Sequence, residues 1–188
     1  MNYFFLFLTH LIINLLPYIG CILLVDFLSG FFHWLEDSYG NENTPFFGKL
    51  VIQPNLEHHL HPMAFTHSSF LDRNSMTIGL AVIFLAGSYF LGILTPAWGV
   101  ALSIGAVANE IHYFTHLQVK KVPQAIRILQ KLQILQTQKH HVGGHHGTPF
   151  DDHYCVISNI MNPVLDKLKF WRFLEFVVYL LSGVSPRR

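Results

Sequence analysis

Four apolar stretches decide what this chain can fold into: residues 3–16, 18–35, 76–94 and 97–114. A helix needs about 20 residues, range roughly 17–25, to cross the hydrocarbon core of a membrane. The last three stretches are long enough; the first is short. In lipid a backbone must satisfy its own hydrogen bonds, so such stretches become helices. Residues 17–20 and 95–99 hold Pro17, Gly20, Pro96 and Gly99. They read as tight turns that fold the stretches into two hairpins. The first stretch has no basic n-region and no A-x-A-like site after it, so it reads as a retained membrane segment rather than a cleaved signal peptide. The expected fold is all-α. It is an integral membrane helical bundle of about four transmembrane helices, one domain over residues 1–188, with a histidine-rich cap and interfacial amphipathic helices.

Charge agrees with that expectation. Only 12% of the 188 residues are charged and 51% are hydrophobic, against roughly 25% charged in soluble domains. The formal net charge of +1 offers no basic field for nucleic acid. All 12 Lys and Arg fall within 37–75 or after residue 115. The positive-inside rule then puts both termini and the long middle segment in the cytosol. Every histidine except His10 falls on that side or at that end of a helix. Cys21 and Cys155 are far apart, which gives neither a disulfide framework nor a Cys-type zinc spacing.

Beyond the fourth stretch, residues 123–138 carry Ile126, Leu129, Leu132 and Leu135 at helical spacing, as an amphipathic helix would. Gly143-Gly144 and Thr148-Pro149 mark a loop. Residues 162–181 mix Lys167, Lys169 and Arg172 with Phe170, Trp171 and Phe173. That pattern suits one interfacial helix, and with Lys120 and Lys121 it offers a basic surface to lipid phosphate or an acidic carrier.

The chemistry lies in the histidines. Residues 139–155 hold five of the thirteen. Neutral imidazole is a common metal ligand, and a packed core has no reason to collect it. His33 and Asp37 are spaced i, i+4, as are His112 and His116, so each pair shares a helix face. Glu57-His58-His59 reads as a loop that can turn two ligands inward. His141, His145 and His146 repeat the device, with two glycines allowing the bend. The expected ligands are therefore His33, Asp37, His58, His59, His112, His116, His141, His145 and His146. Nine are too many for one zinc, which usually takes four; they suit two metals sharing a site. Nitrogen ligands with a carboxylate at a membrane surface favour non-haem iron. His61, His140, His153, Asp26, Glu57 and Glu110 are further candidates, as ligands or as partners of ligands. Asp26 lies one heptad before His33, on the same helix face, and an intramembrane carboxylate needs a partner.

Five segments, VDFLSGFFHWLEDSYGN, EHHLHP, NEIHYFTH, HHVGGHH and YCVISNIMNPVLDKLKFWRFLE, occur in an order that resembles the lipid desaturase family. That family includes plasmanylethanolamine desaturase, the CarF and Kua proteins and plant chloroplast fatty acid desaturase 4. The resemblance runs from about Val25 to the C-terminus. It implies a di-iron centre held by the clustered histidines, and removal of two hydrogens from a phospholipid acyl or alkyl chain. O2 and an electron donor such as cytochrome b5 or ferredoxin would drive that reaction. Gln133 stands where the plasmanylethanolamine branch has a histidine, and His67-Ser68-Ser69 where it has Arg-His-Asp. The residues alone also admit a lipid hydroxylase or a non-catalytic metal-binding membrane protein.

Overall fold

The computed structural model describes residues 3–147 and 151–187. Among them there are helices and turns and no strand. Helix α1 covers Tyr3–Tyr39, α2 Gln53–Leu60, α3 Phe70–Phe90, α4 Pro96–Ala106 and α5 Ala108–His116. Helix α6 covers Gln124–Lys131, the short α7 Gln138–His140, α8 Met161–Lys167 and α9 Phe170–Ser182.

One expected hairpin is replaced by a single helix. α1 runs unbroken through Pro17 for 37 residues, about 55 Å at 1.5 Å per residue. The other hairpin forms, with its turn at 91–95 rather than at the expected 95–99, whose last four residues open α4, and the contrast explains both. At residues 91–95 the chain has what ends one helix and starts the next. Gly92 sits at φ +69°, the Thr95 side chain accepts from the Trp98 amide, and Pro96 opens α4. Around Pro17 no polar side chain takes up freed backbone groups and no residue adopts positive φ. A proline costs the helix one hydrogen bond, which an apolar helix tolerates more readily than two bare ends. Tyr3 thus lies roughly 45 Å along the axis from His33. The described N-terminal residues and the histidines therefore lie at opposite ends of α1.

Two helices, α1 and α3, are long and apolar enough to cross a membrane. Both leave most of that length exposed, including Phe4, Phe7, Ile13, Val82 and Ile83. Water would penalise such a surface and lipid would not. α4 has only 11 residues, but it continues into α5 after a single break at Val107. The four separate spans expected at 3–16, 18–35, 76–94 and 97–114 therefore become one long helix, one 21-residue helix and a broken α4–α5 unit.

The C-terminal region folds back onto this frame. Val25, Ala101, Ala108, Ile111, Val156 and Ile157 form one buried cluster. Trp34, Tyr154, Cys155, Leu165 and Trp171 form another. Residues 154–158 run against α1 at Gly30, where a β-carbon would come within 2.5 Å of Cys155 Sγ. Asp26 fastens the same segment: its carboxylate accepts from the Ile157 amide, the Ser158 amide and the Ser158 hydroxyl at 3.0, 3.2 and 2.6 Å.

Two expected amphipathic helices are shorter than their patterns. Helix α6 stops at Lys131, and Gln133 takes φ +61°. The stop frees Gln136 to bury itself and bond to Cys155 and Ile157. The expected 162–181 helix is split between α8 and α9 by Lys169 at φ +52°. Thr148 and Pro149, read as loop markers, lie outside the described residues.

Candidate metal centre

The last two turns of α1 present His33 and Asp37 to one side. Helix α2 presents His58 and His59, where a loop was expected; neighbouring positions on a helix point in different directions, so the two rings part. Helix α5 supplies His112 and His116. The wide helical turn His141–His145 follows α7 directly, its ring closed by the His146 amide donating to the His141 carbonyl. That turn replaces the expected open loop and brings His141, His145 and His146 to the same place.

All nine residues converge, in two groups. His58, His112, His116, His141 and His146 form one; His33, Asp37, His59 and His145 form the other. Within each group the ligand atoms lie within 4.8 Å of one another. His112 Nε2 lies 2.7 Å from His141 Nε2, and His116 Nε2 lies 3.1 Å from His112 Nε2. His146 Nε2 lies 3.1 Å from His58 Nε2. Asp37 is 3.1 Å from His59 Nε2, 3.5 Å from His145 Nε2 and 3.6 Å from His33 Nε2. The groups adjoin: the His59 and His146 rings are 5.2 Å apart, and those of His141 and His145 5.4 Å.

This geometry is poor for protein alone. Nitrogens face nitrogens, and a single shared proton cannot satisfy several lone pairs. His33 Nε2, Asp37 Oδ2 and His145 Nε2 are buried without a hydrogen-bond partner, which costs free energy unless a cation sits among them. The outer nitrogens are oriented instead. His33 Nδ1 lies 3.1 Å from the Tyr154 carbonyl, and His145 Nδ1 lies 2.9 Å from the Asp152 carbonyl. A carbonyl can only accept, so each Nδ1 carries the proton and each Nε2 offers a lone pair inward. Burial and neighbouring imidazoles hold His58, His141 and His145 well below the ordinary histidine range. The same causes lower His146 to about 3. All four rings are then neutral at physiological pH, the form that ligates metal. The residues fit metal ions on both counts.

The further candidates lie outside these groups. Asp26 is consumed by the 157–158 backbone. Glu110 pairs with Arg73 at 2.8 Å and meets Asn74. Glu57 and His61 are exposed. His140 turns away, packing against the His153 ring at 4.9 Å and accepting from Asn162. His153 Nδ1 lies 2.8 Å from Asp166 and 3.1 Å from Asp152, and hydrogen bonds to these carboxylates raise it to about 9. That trio is a charged histidine clamped by two carboxylates. Arg172, one of the expected surface cations, pairs with Asp151 and Glu175. Gln133 is exposed and accepts from Asn159 at 2.5 Å, away from both groups.

Sequence reasoning missed several supports. Asn55 donates to Asp37 at 2.5 Å; its position four residues before His59 on α2 was the available signal. The carbonyls of Asp152 and Tyr154 gave none, since any residue has one. Phe65 packs against His58 and His112, with ring centroids 4.9 Å apart in each pair.

His33, His58 and His112 also form part of the wall of a cavity of about 930 Å³, bounded by α1, α2, α3 and α4–α5. That volume lies in the range of ligand pockets. It is mostly apolar, and it touches both histidine groups.

Apolar helices, two adjacent histidine groups able to hold metal and a cavity that borders both define a class: a membrane-type helical protein with a histidine-built candidate metal centre. Within that class the chain belongs to the lipid desaturase family, whose domain matches residues 22–188. It is 32% identical over 165 residues to fatty acid desaturase 4-like 1, chloroplastic, of Arabidopsis thaliana, covering 86% of this chain and 55% of the relative. It is 30% identical over 190 residues to plasmanylethanolamine desaturase 1 of Mus musculus, covering 95% and 69%. It is 29% identical over 193 residues to the plasmanylethanolamine desaturase of Myxococcus xanthus, covering 92% and 66%. The chain thus spans little more than half the length of the first relative and about two thirds of the others. No solved structure matches it.

Proposed function

We propose that this chain is an O2-dependent desaturase that introduces a double bond into an acyl or alkyl chain of a membrane phospholipid. His33, Asp37, His59 and His145 would hold one iron ion, and His58, His112, His116, His141 and His146 a second. Bound there, the iron pair supplies the oxygen-dependent oxidation that an unactivated C–H bond requires. Two hydrogens leave the chain. O2 is reduced to water with two electrons from a carrier, of the cytochrome b5 or ferredoxin kind, and two protons.

The protein's share is placement. The Tyr154 and Asp152 carbonyls fix the His33 and His145 rings, so their inward nitrogens stay deprotonated. The apolar cavity admits a hydrocarbon chain and excludes water from the oxidised carbons. Arginine and lysine are absent from both long apolar regions and gather at the histidine end, which supports a cytosolic site reached by a soluble carrier.

One observation carries the proposal: both histidine groups border the same lipid-sized cavity. Relatives named for fatty acid and for plasmanylethanolamine substrates leave acyl and alkyl chains to be separated by assay. The protein would be expressed in a host lacking such products, with lipid mass spectrometry and metal analysis of the purified protein. The expected result is lipid lighter by two hydrogens, iron in the protein, and loss of both in His145→Ala and His141→Ala. A hydroxylated lipid, or zinc with an unchanged lipidome, would sink the proposal.

A further inference from the structure

The cavity has two unlike ends. Near the 39–58 segment it is lined by Asn41, Thr44, Asn55 and Glu57; at the other end it is lined by Val25, Ala81, Phe84 and Leu102. The helix register fixes where that apolar end lies. Asn109 donates to the Arg73 carbonyl, Thr77 to the Ala106 carbonyl, and Trp98 to the Ser88 hydroxyl. α3 therefore runs antiparallel to α4–α5, and Ala81 and Phe84 sit level with Leu102. Val25 of α1 packs beside Gly105, at nearly the same level. His33 follows Val25 by eight residues and His112 follows Leu102 by ten. The histidines thus stand roughly 12–15 Å from this floor along the helix axes. The outer faces of α3 at the floor, Val82, Ile83 and Leu85, are exposed and apolar, as a wall inside the hydrocarbon layer should be.

We infer that this floor gauges the length of the lipid chain, with Ala81 as the residue that sets the limit. The inference rests on the cavity being the chain slot of the desaturase proposed above. A chain enters with its polar head at the amide-lined end and its methyl end on the floor. The histidine groups then meet carbons a fixed distance from the tail. Ala81 has the smallest side chain of the four named floor residues, so it leaves the most room and is the easiest place to remove it. Its neighbour Val82 points outward and is not part of the lining.

The test uses the full chain, with Ala81→Trp and Val82→Trp beside the wild type, in cells supplied with saturated chains of graded length. Three quantities are read: desaturated products by chain length, the chains of lipids that copurify in detergent, and metal content as a check on folding. With metal retained, Ala81→Trp is expected to shift products and copurified lipids towards shorter chains, by roughly tenfold or more per excluded methylene. Val82→Trp should keep the wild-type profile. An Ala81→Trp protein with the wild-type length profile, or with an equal loss at every length, overturns the gauge. So does a Val82→Trp protein that shows the same shift. If the wild type desaturates nothing, the reaction is wrong, and the copurified lipids alone decide the gauge: shorter chains in Ala81→Trp support it, identical chains overturn it.

Discussion

His58 and His59 are adjacent, yet they serve different groups, because a helix turns about 100° per residue. One ring enters the five-histidine group and the other meets Asp37. Asp26 shows the opposite outcome: a residue placed near the centre by its spacing does its work elsewhere. It sits on the face of α1 that leads to His33, but the segment at 157–158 reaches it first. Its carboxylate receives three donors there. Asp26→Ala should strand two buried amides, at about 1–3 kcal/mol each, and lower stability by roughly 2–6 kcal/mol. The same segment carries the Tyr154 carbonyl that orients His33, so metal content should fall with stability. Thermal unfolding and metal analysis in detergent check both. Asp26→Asn, which keeps one acceptor, should lose less, and an Asp26→Ala protein as stable as wild type would remove Asp26 from this role.

At the scale of elements, the chain was legible wherever a local signal was complete. The Thr95-Pro96 signal marked the second break, but the turn falls at 91–95 on Gly92, and Gly99 lies inside α4. The spacing of His33 with Asp37 and of His112 with His116 needed only helical geometry, and both pairs point as expected. Pro17 was misleading because a proline is only half of a turn signal; nothing beside it caps a helix end. The 141–146 region was legible in composition but not in shape. A five-residue hydrogen-bonded turn depends on where α5 and residues 152–154 hold its rings, and those contacts are distant in sequence. The unbroken α1 has a consequence for topology. Single cysteines at Phe5 and at His61, in a Cys21→Ser, Cys155→Ser background, should react with an impermeant thiol reagent from opposite faces of the membrane. Labelling of both from one face would restore a hairpin at Pro17. The far end of α1 carries a second dependence. Arg187 donates to the Glu36, Asp37 and Gly40 carbonyls, and its amide to the Ser38 carbonyl, closing the turn that holds Asp37. Arg187→Ala should raise hydrogen exchange at residues 38–40 by roughly two- to fivefold, the scale of a lost helix-terminus interaction. Unchanged exchange there would mean the turn holds itself.

Across the whole molecule, a histidine-built centre links stability to metal and to pH. Neutral rings are forced together by burial, so the metal-free protein carries strain that bound ions relieve. Metal that binds only the folded chain stabilises it by about 4 kcal/mol at a thousandfold excess over its Kd. For a chain of this size that corresponds to roughly 10 °C in Tm. Chelation should therefore lower Tm by that order. The sign of the pH effect follows from the shifted groups. His58, His141, His145 and His146 titrate below the ordinary 6.5, His146 at about 3. The unfolded chain takes up protons that the folded chain refuses, so stability is fully present above 6.5 and falls as pH drops towards 3. His153 is raised to about 9, so its contribution is fully present below 6.5 and is lost as pH rises through 9. The metal-free protein should be most stable near neutral pH, and His153→Gln should flatten the alkaline limb while leaving the acid limb in place. Protons also compete with metal for the same nitrogens. The gap in Tm between loaded and chelated protein should therefore close as the pH is lowered from 7 towards 4. Melting curves of both forms across pH measure this directly. A gap of constant width would show that the bound ion is held by groups other than these histidines.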